Sequence, residues 1–449
     1  MAGRYKPYSE YKDSGVEWLG EIPKDWTVSK IKFIAPYQVG WTPPTKNDAN
    51  FEGENLWANI SDLREKVIYD TAKKISDAAA EAASMDITPA GSLMYSFKLS
   101  VGAVSFAGGD MYTNEAIASF LEGAELPLSY LYYVLPKFVI ENASTNIYGA
   151  RILNQELISN AMMLAPSFRE AEKIANFLDH ETAKIDTLIE KQQQLIQLLK
   201  EKRQTVISHA VTKGLNPAAK MRDSGVEWLG EVPEGWDVKR LKNTSKVVDC
   251  RNKTPEYFIG GDYFVVRTTN VKNQSLSMDG ALFTDEENFK VWTQRGIPPA
   301  GSILFTREAP AGEVCRVPES VKLCLGQRMM NFICNDEEYT DFLFDFLLSD
   351  CLDVYIKSVS HGSTVSHLRV EQVENIPVLV PPISEGKKIH KYLSDIKLKY
   401  LKLTQGAEDA IALMQERRAA LISAAVTGKI DVRDWVAPPA SPTHKEVAA

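Results

Sequence analysis

Two stretches of the chain, residues 169–213 and 384–428, repeat apolar side chains at alternating spacings of three and four and contain no proline. Ile174, Leu178, Ile185, Leu188, Leu195, Leu199 and Val206 mark the first seam, which Glu181, Gln192 and Lys202 interrupt. Ile389, Leu393, Ile396, Tyr400, Leu403, Ala407, Ala410, Met414 and Leu421 mark the second, broken only by Gly386 and Gly406. This period predicts helices with one apolar stripe each. At 1.5 Å of rise per residue either makes a rod of roughly 65 Å, longer than a small domain is wide. Such rods need a partner along their length, and two equivalent seams predict that they pack on each other, antiparallel. Two separate helices, each closing its own domain, are the alternative.

Between the rods the pattern is short and mixed. Leu93–Ser96 and Ala103–Phe106 read as strands separated by turn signals, and Ile303–Thr306 takes the strand place further on. Ala78–Ala83, Tyr130–Val139 and Asp341–Leu348 read as helices. The expected fold class is therefore α+β.

The elements come in two sets. Asp13–Glu21, DSGVEWLGE, returns unchanged as Asp223–Glu231, and Ile22-Pro23, Trp26 and Lys32 are answered by Val232-Pro233, Trp236 and Lys242. Pro89–Ser92 matches Pro299–Ser302, Gly102 matches Gly312, and Gly149 matches Gly362. Ile207-Ser208-x-Ala210-Val211-Thr212 matches Ile422-Ser423-x-Ala425-Val426-Thr427. So long a period means two copies of a domain-sized unit. The expected boundaries are a first domain over 1–168, a helix over 169–213, a second domain over 214–383, a helix over 384–428 and a disordered tail over 429–449. Trp18 and Trp228 are expected to be buried anchors.

A chain of 449 residues, 44% hydrophobic, has room for two or three cores. No run of 18 apolar residues occurs and the start is polar, so the expectation is a soluble, cytoplasmic protein. The five cysteines all lie in the second copy, none at metal-ligand spacing, and the six histidines show no such spacing either. The chain has no G-x-x-x-x-G-K-[ST], G-x-G-x-x-G or H-E-x-x-H motif, no Asn/Asp-Pro-Pro-aromatic tetrad and no Pro-Asp. It reads as non-catalytic. A net charge of −8 argues mildly against nucleic-acid binding, but binding depends on the local field over one face.

The candidate contacts are polar and basic side chains in turns, where a scaffold presents them. In the first copy they are Thr42, Lys46, Asn59, Ser61, Lys98, Asn114 and Arg151. In the second they are Arg251, Lys253, Arg267, Thr269, Asn270, Arg307, Gln327, Arg328, Ser363, Thr364 and His367. Arg, Asn, Gln and Lys read base edges in the major groove, while Ser, Thr and Lys hold phosphate, so this set is expected to bind DNA.

The repeated W-L-G-E-[IV]-P-x-x-W, the P-A-G-S and the long helix ending E-[KR]-R-x-x-[LV]-I-S-x-A-V-T resemble the specificity subunits of type I restriction-modification systems, over nearly the whole chain. The resemblance implies two tandem mixed α/β target recognition domains, separated by two long helices in an antiparallel coiled coil with pseudo-two-fold symmetry. It implies an asymmetric bipartite target in double-stranded DNA. It also implies docking of two modification methyltransferase subunits, which hold S-adenosylmethionine and methylate adenine N6, and of restriction (translocase/nuclease) subunits with ATP and Mg. No cofactor or metal is implied for this chain, and no membrane. The first copy departs from the family pattern: Gly149-Ala150-Arg151-Ile152 stands where the second copy has Gly362-Ser363-Thr364-Val365. Thr113-Asn114-Glu115 likewise stands against Gly326-Gln327-Arg328. The competing reading is a coiled-coil scaffold with two protein-binding domains and no DNA recognition.

Overall fold

The computed structural model describes residues 5–98, 101–145, 151–251, 253, 256–257, 261–359 and 367–438. It divides into two units, Met1–Lys191 with Ala410–Ala449, and Gln192–Asp409. Each long helix contributes to both. The first spans Phe168–Lys213 and the second Ile383–Val426. Both begin just after a proline-bearing strand end, at Pro166 and at Pro381-Pro382. Both end at a glycine in the left-handed region, Gly214 at φ +73° and Gly428 at φ +69°, the conformation that stops a helix and that glycine adopts without steric cost.

Within each unit the start of one long helix lies beside the end of the other, as the matched seams require. In the first unit Ile174, Leu178 and Ile185 share a core with Leu421, Ala425 and Val426, and Arg418 Nε donates to Asp186 at 2.8 Å. In the second unit Ile207, Ala210 and Val211 share a core with Ile389 and Leu393. The seam does not stay buried along its whole length: Leu188, Leu195 and Leu403 are exposed. The buried parts of each seam are the ends that enter the two cores.

The globular part of the first unit carries a sheet in the order Tyr37–Val39, Ile117–Phe120, Leu93–Ser96, Val104–Ala107, Val67–Ile68. A second sheet runs Tyr112–Thr113, Asn55–Ala58, Lys73–Ile75. The second unit repeats the plan with Ser245–Asp249, Met329–Cys334, Ile303–Thr306 and Val314–Arg316, and beside them Leu282–Thr284, Tyr263–Val266 and Leu323–Leu325. The helices Leu128–Phe138 and Thr340–Leu347 pack beneath. Pairing fixes the equivalence of the two copies. Ile117 faces Ser96 as Met329 faces Thr306. The turn before these strands is therefore offset by 212, not 213: Asn114, Glu115 and Ala116 answer Gly326, Gln327 and Arg328. Backbone bonds agree, with Asn114 N to Ala58 O at 2.9 Å against Gly326 N to Val266 O at 2.8 Å.

The identical nine residues build identical loops. Gly15 and Gly20 have positive φ, as do Gly225 and Gly230, and the Asp13 and Asp223 carboxylates accept from the glycine N–H two residues on. Trp18 is not buried as expected: it is 44% exposed and leans on Phe138, while Trp228 is half-buried against Tyr355. The buried pair is Trp26 and Trp236. Both belong to the same repeated pattern, but only the second tryptophan follows the Pro-turn that points it inward, with Trp26 N on Pro23 O and Trp236 N on Pro233 O.

The expected tail is also corrected in part. Ile430 and Val432 are buried, Trp435 packs on Phe177 at 5.6 Å, and Asp431 N donates to Lys6 O at 2.7 Å. A segment without periodicity can still be held by a few well-placed apolar residues. Residues 439–449 lie outside the described residues.

Candidate nucleic-acid interface

In the second unit three strand ends converge. Gly326 N donates to Val266 O, Arg307 N to Arg328 O at 2.9 Å, and Cys250 N to Met329 O at 3.2 Å. These bonds bring Arg251, Arg267, Arg307, Gln327 and Arg328 to one edge, with His367 bridged to Glu308 beside them. A Cβ at Gly326 would lie 2.5 Å from Val266 O, so only glycine permits this approach.

Two carboxylates organise the edge. Asp249 faces Arg307 Nε at 3.6 Å and Arg295 Nη1 at 3.4 Å, and Arg295 Nη1 also donates to Cys250 O at 2.9 Å. Glu308 faces Arg328 Nε at 2.9 Å and His367 Nδ1. Among the described residues these two carboxylates face three arginines, Arg295, Arg307 and Arg328, and one histidine, His367. Burial pushes the Cys250 thiol up and keeps it neutral, and its sulfur accepts from Arg328 N at 3.2 Å.

The remaining candidates separate by environment. Arg251 lies over the Trp292 ring and donates to Val291 O, and Arg267 donates to Gly280 O at 2.8 Å. Arg307 is buried. Asn270 has no exposed surface: its amide donates to Ser277 O and Asp279 O, and its oxygen accepts from Arg267 N. It is a turn-closing residue, out of reach of a groove. Thr269, Lys253 and Gln327 are exposed. Ser363 and Thr364 lie outside the described residues.

In the first unit the same strand ends gather Thr42, Asn59, Ser61, Lys98 and Asn114. Trp41 N donates to Thr113 O, Asn114 N to Ala58 O, and Phe97 N to Ala116 O. Thr42 donates to Glu115, and Asn59 Oδ1 accepts from the N–H and the hydroxyl of Ser61. Lys46 is exposed in the loop between Pro44 and Asn50. Arg151 is not part of this group; it sits on the small hairpin Ser144–Thr145 with Arg151–Ile152, near Glu141. Among the described residues the paired charges of the second unit are not repeated at these positions: Val39, Phe97, Lys98 and Ala116 stand where Asp249, Arg307, Glu308 and Arg328 stand there.

Asp249, Arg295 and Glu308 are absent from the candidates read off the sequence. Arg295 had a signal, since Thr293-Gln294-Arg295-Gly296 is a polar turn of the same kind. The carboxylates had none, because a surface that binds phosphate does not reward acids. Among the described residues no group of three or more His, Cys, Asp or Glu is placed to hold a metal ion, and no helix is long and apolar enough to cross a membrane.

The family model for the type I restriction modification DNA specificity domain matches the chain twice, at residues 23–198 and 233–412. The type I restriction enzyme MjaIX specificity subunit of Methanocaldococcus jannaschii is 24% identical over 445 residues, covering 96% of this chain and 99% of its own. The EcoBI specificity subunit of Escherichia coli is 20% identical over 313 residues, covering 67% of this chain and 65% of its own. The HsdS subunit from Thermoanaerobacter tengcongensis shares the fold with a TM-score of 0.52 at 13% identity, covering 91% of this chain and 98% of that one. A chain from a type I R-M system solved for its complex assembly and conformational transition gives 0.62 at 13% identity, over 91% and 99%.

Proposed function

Because the chain belongs to the type I restriction-modification DNA specificity family, a family of recognition subunits and not of enzymes, we propose that each of its units reads one half of an interrupted, asymmetric target in duplex DNA. The recognition domains run over 1–168 and 214–383, with the helices over 169–213 and 384–428 as their common frame. The contacts come from Thr42, Lys46, Asn59, Ser61, Lys98 and Asn114 in the first unit. In the second they come from Arg251, Lys253, Arg267, Thr269, Gln327 and Arg328 with His367, on a base that Arg307 and Asn270 build.

The observation that carries this reading is the difference between the two units at one register. Equivalent strand ends present an arginine-rich edge in one and a hydroxyl- and amide-rich edge in the other, so the two half-sites differ in sequence. The subunit assembles with other subunits of its system. Two modification methyltransferase subunits bring S-adenosylmethionine and methylate adenine, and restriction subunits bring ATP and Mg, in the cytoplasm. The leucines left outside the helix seams, Leu198, Leu398, Leu401 and Leu413, are each more than half exposed and support docking of these subunits on the helices.

The test is a map of methylated adenines in the genome of a host that carries this chain with its partner subunits. An interrupted, asymmetric motif is expected. A palindrome or an uninterrupted motif overturns the reading.

A further inference from the structure

We propose that Glu308 is a positioning residue that aims Arg328 at a guanine, so that the half-site of the second unit contains a G·C pair read by this one guanidinium. The inference rests on the DNA-reading function above and adds the base class and the residue that sets it.

Arg328 is held at three points. Its N–H donates to Cys250 Sγ, its carbonyl accepts from Arg307 N, and its Nε lies 2.9 Å from Glu308 Oε2. Its φ of +72° lies in the left-handed region, which side-chain-bearing residues rarely adopt. Strain of this kind persists where surrounding contacts over-determine it, and it gathers at functional sites. The side chain nonetheless remains 46% exposed, while that of Glu308 is 19% exposed. A long cation fixed at its base and open at its tip has lost its rotamer freedom before any ligand arrives. With Nε engaged by the carboxylate, the end-on pair of Nη groups is the edge left for a base. That edge matches O6 and N7 of guanine, the commonest specific arginine contact in the major groove.

The fold does not need this arrangement. The first unit makes the same backbone bond, Phe97 N to Ala116 O at 3.0 Å, with Lys98 in place of Glu308 and Ala116 in place of Arg328. Ala116 is not in the left-handed region. The strained arginine and its carboxylate are therefore an addition of the second unit to a turn that closes without them.

The experiment uses the full chain assembled with its partner subunits and a set of duplexes in which the first half-site is fixed and each pair of the second is varied. Wild type should prefer G·C at one position. Arg328→Ala should reduce that one preference about 10- to 100-fold and leave the others in place. Glu308→Gln, which keeps the shape and removes the charge, should reduce the same preference several-fold at unchanged melting temperature, and Glu308→Asp should restore part of it. Equal weakening on every second half-site by Arg328→Ala, with a salt slope lower by about one, would make Arg328 a phosphate contact and overturn the proposal. So would a Glu308→Gln variant that melts earlier but keeps its base preference, or a second half-site made only of A·T pairs. A wild-type complex with no sequence preference at all would instead overturn the DNA-reading function itself.

Discussion

The indole of Trp26 donates from Nε1 to Glu170 Oε1 at 3.0 Å, and Glu170 lies in the first turn of the first long helix. Tyr8 donates its hydroxyl to the same oxygen at 2.6 Å. The second unit repeats the joint with Trp236 Nε1 and Glu385 Oε2, also at 3.0 Å. In each unit the tryptophan that holds the start of one long helix also lies against the glycine that ends the other: Gly428 for Trp26 and Gly214 for Trp236. The repeated sequence is thus a joint where two helix ends and a strand pair are locked together.

Trp26→Phe removes one donor from a buried carboxylate and, because phenyl is smaller than indole, leaves a small cavity beside it. The expected cost is about 1–3 kcal/mol, read as an earlier urea midpoint for the first unit. Trp236→Phe should act on the second unit by a smaller amount, because Glu385 is less buried than Glu170. Unchanged midpoints in both variants would show that the bond contributes nothing to stability.

The two helix-ending glycines should not be equally replaceable. A Cβ at Gly214 would meet Glu385 Oε1 at 3.0 Å, the end of a side chain that can move, whereas at Gly428 it would lie 2.4 Å from the Pro23 ring. Gly214→Ala is expected to cost about 1–2 kcal/mol for the left-handed backbone alone. Gly428→Ala adds about 1–3 kcal/mol of overpacking. Thermal melts of the two variants check the order, and equal losses would contradict it.

The attachment of the second long helix to its recognition domain should respond to pH. Asp345 has no exposed surface and accepts from His390 Nδ1 at 2.7 Å and from Lys397 Nζ at 2.6 Å. The hydrogen bond to Asp345 raises the His390 pKa; burial opposes it, the Asp345 and Asp341 charges add to it, and Lys397 subtracts. A pKa raised on folding gives stability that is complete below the ordinary value of 6.5 and is lost as pH rises through the folded value. The second unit should therefore unfold at lower urea above that range than below it, and His390→Gln should flatten the difference. Lys397 still faces Asp345 at high pH, so the loss is partial. A wild-type midpoint that rises with pH across this window would refute the assignment.

Lys98 stands in the first unit's edge at the place where the second unit has Glu308. Lys98→Ala should weaken binding about uniformly over first half-site sequences and lower the salt slope by about 0.9. Affinity measured at several salt concentrations decides it. A loss confined to one base pair would make Lys98 a base reader.

The helices and the duplication were legible because they repeat: a long proline-free three-four pattern and an unchanged nine-residue block need no knowledge of packing. The contact residues were legible only as residue types in turns. Asn270 and Asn59 look alike in sequence, yet one is sealed inside a turn and the other stands at a strand end, because an amide closes a backbone turn with the same groups that it offers to a base. The offset at Ala116 and Arg328 was hidden for a related reason. A one-residue difference in a loop leaves no trace in the hydrophobic pattern until strand pairing fixes which residue faces Ser96 or Thr306. Glu308 could not be found by looking for positive charge, since it acts by holding a positive charge still.

The contact of Asp431 with Lys6, and of Trp435 with Phe177, has a consequence for the order in which the molecule can be completed during synthesis. The core of the first unit includes Leu421, Ala425, Val426, Ile430 and Val432, which leave the ribosome last among its members. The second unit closes with residues no later than Asp409. The half of the molecule that is translated first is thus finished last, and until then the core that holds Ile174 and Leu178 lacks Leu421, Ala425 and Val426. A premature stop shortly after Asp409 leaves the later-made unit whole and strips the earlier-made one of its lid.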